Sequence, residues 1–495
     1  MSSGPAAGPV RRSREVSREL RQRAGFPSWG LFTDLYQLTM AQGYWQEGLA
    51  ERRANFQLTM RRAPFGGGFA VFCGLGPALE AIEKLRFEAA ELDALAALRD
   101  AEGGSLFRDE FLSALGGQRA AVDLWSPDEG EVVLPGEPVV RVEGPLLQGQ
   151  LLETAMLNLI GYSSLVATKA ARIAWLAAEG DPVLDFGLRR AHGPDGGLSM
   201  SRAAYVGGCS STSNVLAGAL WGIPTAGTHA HSWVLAHDGE LESFRAFARS
   251  QPGNCTLLID TYDTMAGLEN ALIVAREMRD RGERLRAVRL DSGDLEELSK
   301  GVRARLDEAG FEAVRIVASS DLDEHAIVRL KAAGAPISLW GVGTSLAACR
   351  DDPSFSGAYK LTSIASSTDE SEALWRPVSK RSEDRFKRSD PGRLQVRRSF
   401  DGEGRLRQDT VYHLAGDGPT RTGRQRDLLR RQVLQGERRS AAESLGSLRE
   451  RVRRAVAALP ADLRAFEVGA EVLEQRVQFD ESLQRLRRAV APPPS

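Results

Sequence analysis

Short apolar runs alternate with longer amphipathic stretches through the middle of the chain. The runs that predict buried strands are residues 182–186, 225–226, 255–259, 286–290, 313–318 and 337–342. Apolar positions at helical spacing fill the intervals at 203–221, 265–281, 294–309 and 323–333. Strands that alternate with helices of this length predict parallel β/α units. Their number favours a β/α barrel, complete or incomplete, over an open sheet.

The flanking regions have a different pattern. Before the alternating region it predicts, in order, a helix beginning near Leu31, a strand within 65–72, a helix over 78–99, two strands within 130–145 and two helices over 146–179. After it, residues 385–415 predict a β-hairpin, and residues 437–457 predict a helix rich in Arg and Glu. The N-terminal part is therefore typical of an α+β unit.

We expect an α/β protein with two folded domains and a tail at each end. The predicted segments are a disordered tail at 1–25, an N-terminal α+β domain at 26–150 that is completed by segments from about 355–415, a β/α barrel at 151–354, a hairpin and helical region at 355–485, and a disordered tail at 486–495.

Charge balance and cysteine spacing exclude several classes of protein. The 64 basic and 66 acidic side chains nearly cancel, whereas a dedicated nucleic-acid binder usually carries a strong basic excess. No apolar run approaches the ~18 residues of a membrane-spanning helix, so we expect neither nucleic acid nor membrane as a partner. The four cysteines form no C-x-x-C pair, which favours a reducing cytoplasm and excludes a zinc knuckle.

Polar or glycine-containing loops follow the predicted strands. They are residues 187–190, 227–231, 260–263, 291–294, 319–321 and 343–345. Barrels of this kind build their active sites at the carboxyl ends of the strands. Because these loops are rich in Asp, His, Arg and Ser, we expect them to form one active site.

Three histidines, His229, His231 and His237, fall within nine residues. A His-x-His pair alone is a weak signal for zinc, and neither cysteine nor a helical H-E-x-x-H accompanies it. A second interpretation is a histidine that hydrogen-bonds the backbone. A third is a reactive imidazole, which can form a covalent intermediate. The pattern leaves all three open.

Four aspartates, Asp260, Asp263, Asp291 and Asp294, lie in two of the strand-end loops. Carboxylates at a barrel mouth can hold Mg²⁺ together with a phosphate substrate, or fix the tautomer of an imidazole. Capping of the following helix is the alternative, above all for Asp294.

The sequence Gly-Val-Gly-Thr-Ser at 341–345 follows an apolar strand. Glycines there let the backbone approach a phosphate, although such turns often carry glycine for geometry alone. Neither a Walker loop nor a G-x-G-x-x-G fingerprint is present. Arg289 lies two residues before Asp291 on one strand face, and a guanidinium is the natural partner of a carboxylate or phosphate.

Eight segments, in register, are together similar to the nicotinate phosphoribosyltransferase family. They are residues 31–37, 186–191, 193–197, 213–218, 227–232, 259–263, 289–295 and 341–345. The resemblance extends from about residue 28 to residue 480. It implies a type II phosphoribosyltransferase fold, in which an α/β sandwich domain accompanies an irregular β/α barrel, and a homodimer. It also implies that nicotinate and phosphoribosyl pyrophosphate give nicotinate mononucleotide and pyrophosphate in NAD salvage. ATP hydrolysis would be coupled through a phosphohistidine, with Mg²⁺ as cofactor.

The resemblance also implies roles for individual residues. In the family pattern Gly-Thr-x-Ala-His-Ser, the phosphorylated histidine falls on His231, and His229 falls on the variable position. The residues implied to contact nicotinate are Phe186, Arg189, Thr228, Arg289 and, reaching across the dimer, Tyr36. Those implied to hold phosphoribosyl pyrophosphate are Gly341, Gly343, Thr344 and Ser345. Asp260 and Asp291 are implied to serve His231 and the ribose, with Asp291 as a ligand of Mg²⁺.

The implied reaction suits these residue types. A pyridine nitrogen is already a nucleophile, so the enzyme must position the ring and hold the phosphates while Mg²⁺ neutralises the leaving group. Quinolinate enzymes are usually shorter and lack the phosphohistidine loop. Related nicotinamide enzymes carry an aspartate where residues 207–211 are Gly-Gly-Cys-Ser-Ser, which favours nicotinate here. A non-catalytic family member is the rival of another class, and the intact Tyr36, His231, Arg289 and Asp291 argue against it.

Overall fold

The computed structural model describes residues 28–177, 180–366, 375–380, 389–416 and 418–490. The α-helices are α1 Leu35–Gln46, α2 Leu75–Glu83, α3 Ala89–Ala96, α4 Asp109–Gly116, α5 Leu146–Leu151, α6 Glu153–Ala177, α7 Gly193–Gly207, α8 Val215–Trp221, α9 His231–Leu235, α10 Glu240–Ser250, α11 Thr264–Asp280, α12 Leu295–Glu308, α13 Glu324–Ala332, α14 Thr344–Ala348, α15 Leu445–Ala457, α16 Ala470–Arg476 and α17 Glu481–Ala489. The predicted tail at 1–25 lies outside the described residues.

The strands are β1 Arg53–Met60, β2 Ala70–Val71, β3 Asp123–Ser126, β4 Val132–Val133, β5 Pro138–Pro145, β6 Val183–Asp185, β7 Ser211–Thr212, β8 Thr256–Leu258, β9 Ala287–Leu290, β10 Arg315–Ala318, β11 Leu339–Val342, β12 Gly357–Ala365, β13 Trp375–Pro377, β14 Leu394–Phe400, β15 Leu406–His413, β16 Gln425–Asp427, β17 Arg430–Leu434, β18 Glu437–Arg438 and β19 Val477–Phe479. The described chain divides into two compact units. We call Lys169–Pro353 the parallel-sheet unit. The antiparallel-sheet unit contains the described residues up to Thr168 and from Ser354 onward.

The parallel-sheet unit is built on six strands in the order β7-β6-β11-β10-β9-β8. All five neighbouring pairs are parallel, and helices follow the strands in the β/α alternation expected from the apolar pattern. Buried strand residues such as Leu257, Val288, Ile316 and Trp340 form its core. Because β7 and β8 are the two ends of the strand order, the sheet is an irregular, incomplete barrel. The predicted fold class is confirmed.

Two predictions within this unit are wrong. The helix predicted over 203–221 is two helices, α7 and α8, with β7 between them. The reason is local: Gly208 ends α7 at φ 133°, a backbone conformation that favours glycine. The strand predicted at 225–226 contributes only an isolated bridge between Thr225 and Thr212.

The antiparallel-sheet unit contains a seven-stranded sheet in the order β13-β12-β1-β5-β3-β17-β18 and a four-stranded sheet in the order β16-β14-β15-β19. The long strand β12 pairs antiparallel with β1, from Ala54 opposite Ile364 to Met60 opposite Gly357. A cluster of apolar side chains that includes Leu38, Phe107 and Phe111 packs helices α1, α4 and α5 together. The predicted hairpin is the antiparallel pair β14 and β15.

Several boundaries differ from the sequence prediction. The change of pattern near residue 150 marks the start of a helix pair and not the edge of a unit, which falls inside α6 between Thr168 and Lys169. The helix predicted over 78–99 is α2 and α3, and the one predicted over 437–457 begins at Leu445. The predicted tail at 486–495 begins too early, because α17 continues to Ala489, and residues 491–495 lie outside the described residues. No helix in the described ranges is long and apolar enough to cross a bilayer.

Candidate active site at the strand ends

Arg289 is the centre of a polar network at the carboxyl ends of the parallel strands. Its Nε donates to Ser319 Oγ at 2.7 Å, and its Nη2 donates to Asp291 Oδ1 at 2.8 Å. Its Nη1 donates to Thr228 Oγ1 at 3.0 Å and to the His229 carbonyl at 3.4 Å. A guanidinium has five N–H donors, and these contacts account for four. Three strand-end loops therefore meet at one cation, as the shared edge of parallel strands predicts.

Asp260 joins the loops after β8 and β9. Its Oδ2 accepts from the Asp291 backbone N–H at 2.9 Å and from Ser292 Oγ at 2.6 Å. Its Oδ1 is buried without a hydrogen-bond partner within the described part of the chain. Asp291 itself accepts from Arg289 and Ser319. One oxygen of Asp260 is thus buried but unsatisfied by the described residues, beside the loops after β8 and β9.

His231 is the accessible histidine of this group, with 41% of its side chain exposed. Its Nδ1 lies 3.2 Å from Thr261 Oγ1, and its Nε2 lies 3.8 Å from Asp291 Oδ2. It is also the first residue of α9, where no side-chain contact caps the helix. The imidazole therefore faces both the Asp291 carboxylate and solvent.

His229 has a different environment, although it is only two residues away. It is 7% exposed, and its Nε2 accepts from the Leu258 backbone N–H at 3.1 Å. Leu258 belongs to β8, the edge strand of the sheet, so the imidazole satisfies a donor that would otherwise lack a strand partner. Its Nδ1 contacts the Ala230 carbonyl at 3.3 Å. Burial lowers the pKa of His229 to about 4, so it is neutral at physiological pH.

His237 lies apart from the network. Its Nδ1 contacts the Trp233 carbonyl at 2.7 Å, one helical turn earlier, and its ring packs against the Trp233 ring. The three clustered histidines therefore have three different environments, and no group of three or more His, Cys, Asp or Glu that could hold a metal ion is found among the described residues.

The aromatic ring of Phe186 lies next to Arg289. The Arg289 guanidinium lies 5.7 Å from the centre of the Phe186 ring. Gly341 makes room for this ring, because a Cβ there would lie 2.8 Å from Phe186 Cδ2 and Cε2. The preceding Asp185 accepts from the Gly187 N–H at 2.8 Å and from Thr212 Oγ1 at 2.6 Å, and burial raises the pKa of Asp185.

Two of the candidate aspartates cap helices. Asp263 accepts from the Ala266 N–H at 2.8 Å at the start of α11. Asp294 accepts from the Glu296 and Glu297 N–H groups at 3.0 and 3.2 Å at the start of α12. Both contacts are ordinary N-caps.

The remaining candidates lie at the edge of this group or away from it. Arg189 is exposed on the 3₁₀ turn Leu188–Arg190, which follows Phe186. Gly343 and Thr344 are partly exposed where α14 begins, and Ser345 is buried there. Tyr36 belongs to the antiparallel-sheet unit, where its side chain is 51% exposed on α1.

The network also contains three hydroxyl groups that the sequence did not single out. They belong to Thr261, Ser292 and Ser319, each of which lies in a strand-end loop that was already suspected. Their position in the strand-end loops is the one feature of the sequence that could have identified them. It is weak, because serine and threonine are common in such loops for their capping ability alone.

Two family models match the chain. They are the nicotinate phosphoribosyltransferase (NAPRTase) N-terminal domain, over residues 31–161, and the nicotinate phosphoribosyltransferase (NAPRTase) family, over residues 182–404. Nicotinate phosphoribosyltransferase of Bacillus subtilis (strain 168) is 46% identical over 338 residues, or 68% of this chain and 67% of the relative. Nicotinate phosphoribosyltransferase pncB2 of Mycobacterium tuberculosis (strain ATCC 25618 / H37Rv) is 42% identical over 453 residues, or 90% of each chain. The crystal structure of human nicotinic acid phosphoribosyltransferase has a TM-score of 0.80 at 31% identity, and covers 93% of this chain and 100% of its own.

Proposed function

The chain belongs to the nicotinate phosphoribosyltransferase family, and we propose that it transfers the phosphoribosyl group of phosphoribosyl pyrophosphate to nicotinate, releasing pyrophosphate. We further propose that ATP hydrolysis drives this reaction through phosphorylation of His231, in a homodimer located in the cytoplasm. The Arg289 network is the observation that carries the proposal, since it presents a fixed cation beside an aromatic ring at the strand ends.

Nicotinate recognition follows from this geometry. The carboxylate of nicotinate would accept from the fifth donor of Arg289, while Phe186 contacts the pyridine ring. It would also accept from the Thr228 hydroxyl, which donates to the His229 carbonyl in the free protein and would turn to the substrate. Arg189, exposed on the turn that follows Phe186, would line the same pocket. Because Asp291 and Ser319 fix the guanidinium before the substrate arrives, little side-chain entropy would be lost on binding.

The transfer itself requires positioning more than acid–base catalysis. The pyridine nitrogen forms a bond to ribose C1 while the bond from C1 to pyrophosphate breaks, so no proton has to be removed from the nucleophile. Positive charge develops on the ribose, and the carboxylates of Asp260 and Asp291, which adjoin each other at the strand ends, would stabilise it. Gly341, Gly343, Thr344 and Ser345 would hold the phosphoribosyl phosphates at the start of α14.

The carboxylate environment fits a metal held mainly by its substrate. Mg²⁺ is commonly bound by one or two carboxylates together with substrate phosphates. The unpartnered Asp260 Oδ1 and the adjacent Asp291 would be the protein ligands. When bound there, Mg²⁺ would neutralise charge on the departing pyrophosphate.

His231 is the histidine best suited to accept a phosphoryl group. With its proton on Nδ1 and donated to Thr261 Oγ1, its Nε2 would carry the lone pair that attacks the γ-phosphorus of ATP, and ADP would leave. Later hydrolysis would return the imidazole and release phosphate. His229 cannot serve without breaking its contacts, because both of its ring nitrogens already bind the backbone.

Base specificity provides the first test. Mononucleotide formation is measured with nicotinate, nicotinamide or quinolinate at equal concentration, each with phosphoribosyl pyrophosphate, with and without ATP. We expect a clear preference for nicotinate and stimulation by ATP. A preference for nicotinamide would overturn the assignment, and a protein that transfers to none of the three would be a non-catalytic member of the family.

A pair of histidine variants tests the phosphorylation. We expect His231→Ala to lose acid-labile ³²P incorporation from γ-labelled ATP and to keep a residual, ATP-independent transferase activity. His229→Ala is the control, with retained labelling in the folded fraction. Label retained in His231→Ala would overturn this step.

Tyr36 tests the proposed dimer. We propose that Tyr36 completes the pyridine site of a partner subunit, and its half-exposed ring on α1 supports that role. Mixing Tyr36→Ala with His231→Ala should restore an ATP-stimulated site in the heterodimer. A fully active monomer in sedimentation would exclude this arrangement.

A further inference from the structure

A buried ion cluster lies within the parallel-sheet unit, outside the network around Arg289. Lys169 Nζ is 2.8 Å from Glu324 Oε2, and both side chains are fully buried. Lys169 Nζ also binds Asp351 Oδ2, which is 45% exposed. Arg172, one turn after Lys169 on α6, donates from Nε to Glu324 Oε1 at 3.1 Å. Two cations and two anions thus balance each other.

The two anions lie beyond two different strand-end loops. Glu324 is the first residue of α13, five positions after Ser319, which binds Arg289. Asp351 follows the 341–345 loop and α14 by three positions. The Lys169 ammonium therefore links the start of α13, after β10, to the segment after α14, the short helix that begins in the loop expected to hold the phosphates.

A second ion pair joins the loop after β10 to the segment after α14 at the surface. Arg350 Nη1 donates to Asp321 Oδ2 at 3.2 Å, but the two side chains are 46% and 66% exposed. Exposed pairs restrain their loops weakly, because water and salt screen them. The Lys169–Glu324 pair is buried and cannot separate without leaving an uncompensated charge inside the protein. It therefore fixes the ammonium that Asp351 binds more firmly than a surface cation such as Arg350 is fixed.

We propose that Lys169, Glu324 and Asp351 position the phosphate-binding loop, and thereby set the affinity for phosphoribosyl pyrophosphate without touching it. This inference rests on the proposed function. The cluster would fix the 341–345 loop relative to Ser319 and Arg289, so that the phosphoribosyl group and the pyridine ring meet in one geometry. Loss of such positioning weakens binding of the group that the loop holds.

The test uses Asp351→Asn, which removes the charge at the more exposed end of the cluster and leaves the buried Lys169–Glu324 pair intact. Asp181→Asn is the matched control: Asp181 pairs with Lys331 at 2.7 Å, is partly exposed, and precedes β6 at the opposite ends of the strands. The measurements are both KM values, kcat, the Tm, and calorimetric binding of phosphoribosyl pyrophosphate without nicotinate.

We expect Asp351→Asn to weaken phosphoribosyl pyrophosphate binding and raise its KM by roughly tenfold, with the KM for nicotinate and kcat within about twofold. Asp181→Asn should leave both KM values within about twofold at a similar Tm. Unchanged phosphoribosyl pyrophosphate binding in Asp351→Asn, or equal rises in both KM values with a lower Tm, would overturn the positioning role. The proposed function fails separately, if the wild-type protein makes no mononucleotide.

Discussion

Two arginine–aspartate pairs in this protein share their chemistry and differ in their surroundings. Arg289 and Asp291 lie at the strand ends of the parallel-sheet unit, with side chains 13% and 26% exposed. Arg398 and Asp409 face each other on β14 and β15 of the antiparallel-sheet unit, with side chains 2% and 0% exposed. Both arginines lie on strands that also carry valine, so the residue types alone do not separate them.

The buried pair of Arg398 and Asp409 is shielded from solvent. Arg398 binds both oxygens of Asp409, with Nη2 to Oδ2 at 2.6 Å, and donates from Nη1 to the Val132 carbonyl at 2.9 Å. Burial, followed by the neighbouring Asp409, raises the pKa of Glu137, which is also fully buried. Around Arg289, by contrast, the guanidinium and the Asp291 carboxylate are both partly exposed at the strand ends. Access from solvent, and not the ion pair itself, distinguishes the candidate site from the structural pair.

Removing Arg398 should produce the largest effect. Arg398→Met would leave Asp409 buried without its partner, which is expected to lower the free energy of unfolding by about 3–5 kcal/mol. The measurement is urea unfolding, with kcat/KM determined on the folded fraction and expected to change less than about threefold. Arg405→Met on the same hairpin is the control: its pair with Asp401 is exposed and should contribute at most about 1 kcal/mol. Equal destabilisation by both variants would contradict the comparison.

Removing Arg289 should have the opposite result: a large loss of activity with a small loss of stability. Arg289→Ala is expected to lower kcat/KM for nicotinate by roughly a hundredfold to a thousandfold, about 3–4 kcal/mol, because the carboxylate would lose its cation. The free energy of unfolding should fall by only about 1 kcal/mol, since Asp291 remains partly hydrated. Steady-state kinetics and urea unfolding of the same preparation measure the two effects. A variant that keeps its activity but unfolds early would place Arg289 with Arg398 as a structural residue.

Much of the parallel-sheet unit was predictable because its strands are buried on both faces. Apolar runs around Leu257, Val288, Ile316 and Trp340 gave four strands and, through their alternation with helices, the parallel arrangement. The strand β7 was missed because it is two residues long and consists of Ser and Thr, so no apolar run marks it. The helix predicted over 203–221 has the same cause, because no apolar run interrupts the helical pattern at β7.

The site was predictable to the level of its loops. Because parallel strands end at one edge, Asp260, Arg289 and Asp291 could be expected to meet, and the described contacts bring them together. The environment of His229 could not be predicted, since it depends on which strand is the edge of the sheet. The same holds for Lys169, whose partners Glu324 and Asp351 are about 150 and 180 positions away along the chain.

The buried His229 is a structural group next to the candidate site, and it should make the free energy of unfolding depend on pH. Its pKa is lowered to about 4 in the folded protein, against 6.5 ordinarily, so the unfolded chain binds the proton more tightly. Stability is therefore complete above about pH 6.5 and is lost as the pH falls toward 4. In His229→Gln, which keeps an acceptor for the Leu258 N–H, the loss between pH 7 and pH 4 should be smaller by about 3 kcal/mol. Unfolding curves of both proteins at pH 7 and pH 4 measure this difference. If the wild type and His229→Gln lose the same stability between the two pH values, His229 is not buried as a neutral imidazole.

The smallest effect concerns two aspartates three positions apart in one loop. Asp291 contacts Arg289, whereas Asp294 accepts from the Glu296 and Glu297 N–H groups at the start of α12. An N-cap removed by substitution with alanine typically costs ~1 kcal/mol, so Asp294→Ala should lower the free energy of unfolding by about that amount. Its KM values should remain those of the wild type, because no substrate contact is lost. Asp294→Ser, which retains a capping oxygen, should recover most of the stability. A loss of activity in Asp294→Ala that Asp294→Ser does not restore would show that the carboxylate itself acts in the site, and the strand-end network would then extend one helical turn further than the contacts of Arg289 indicate.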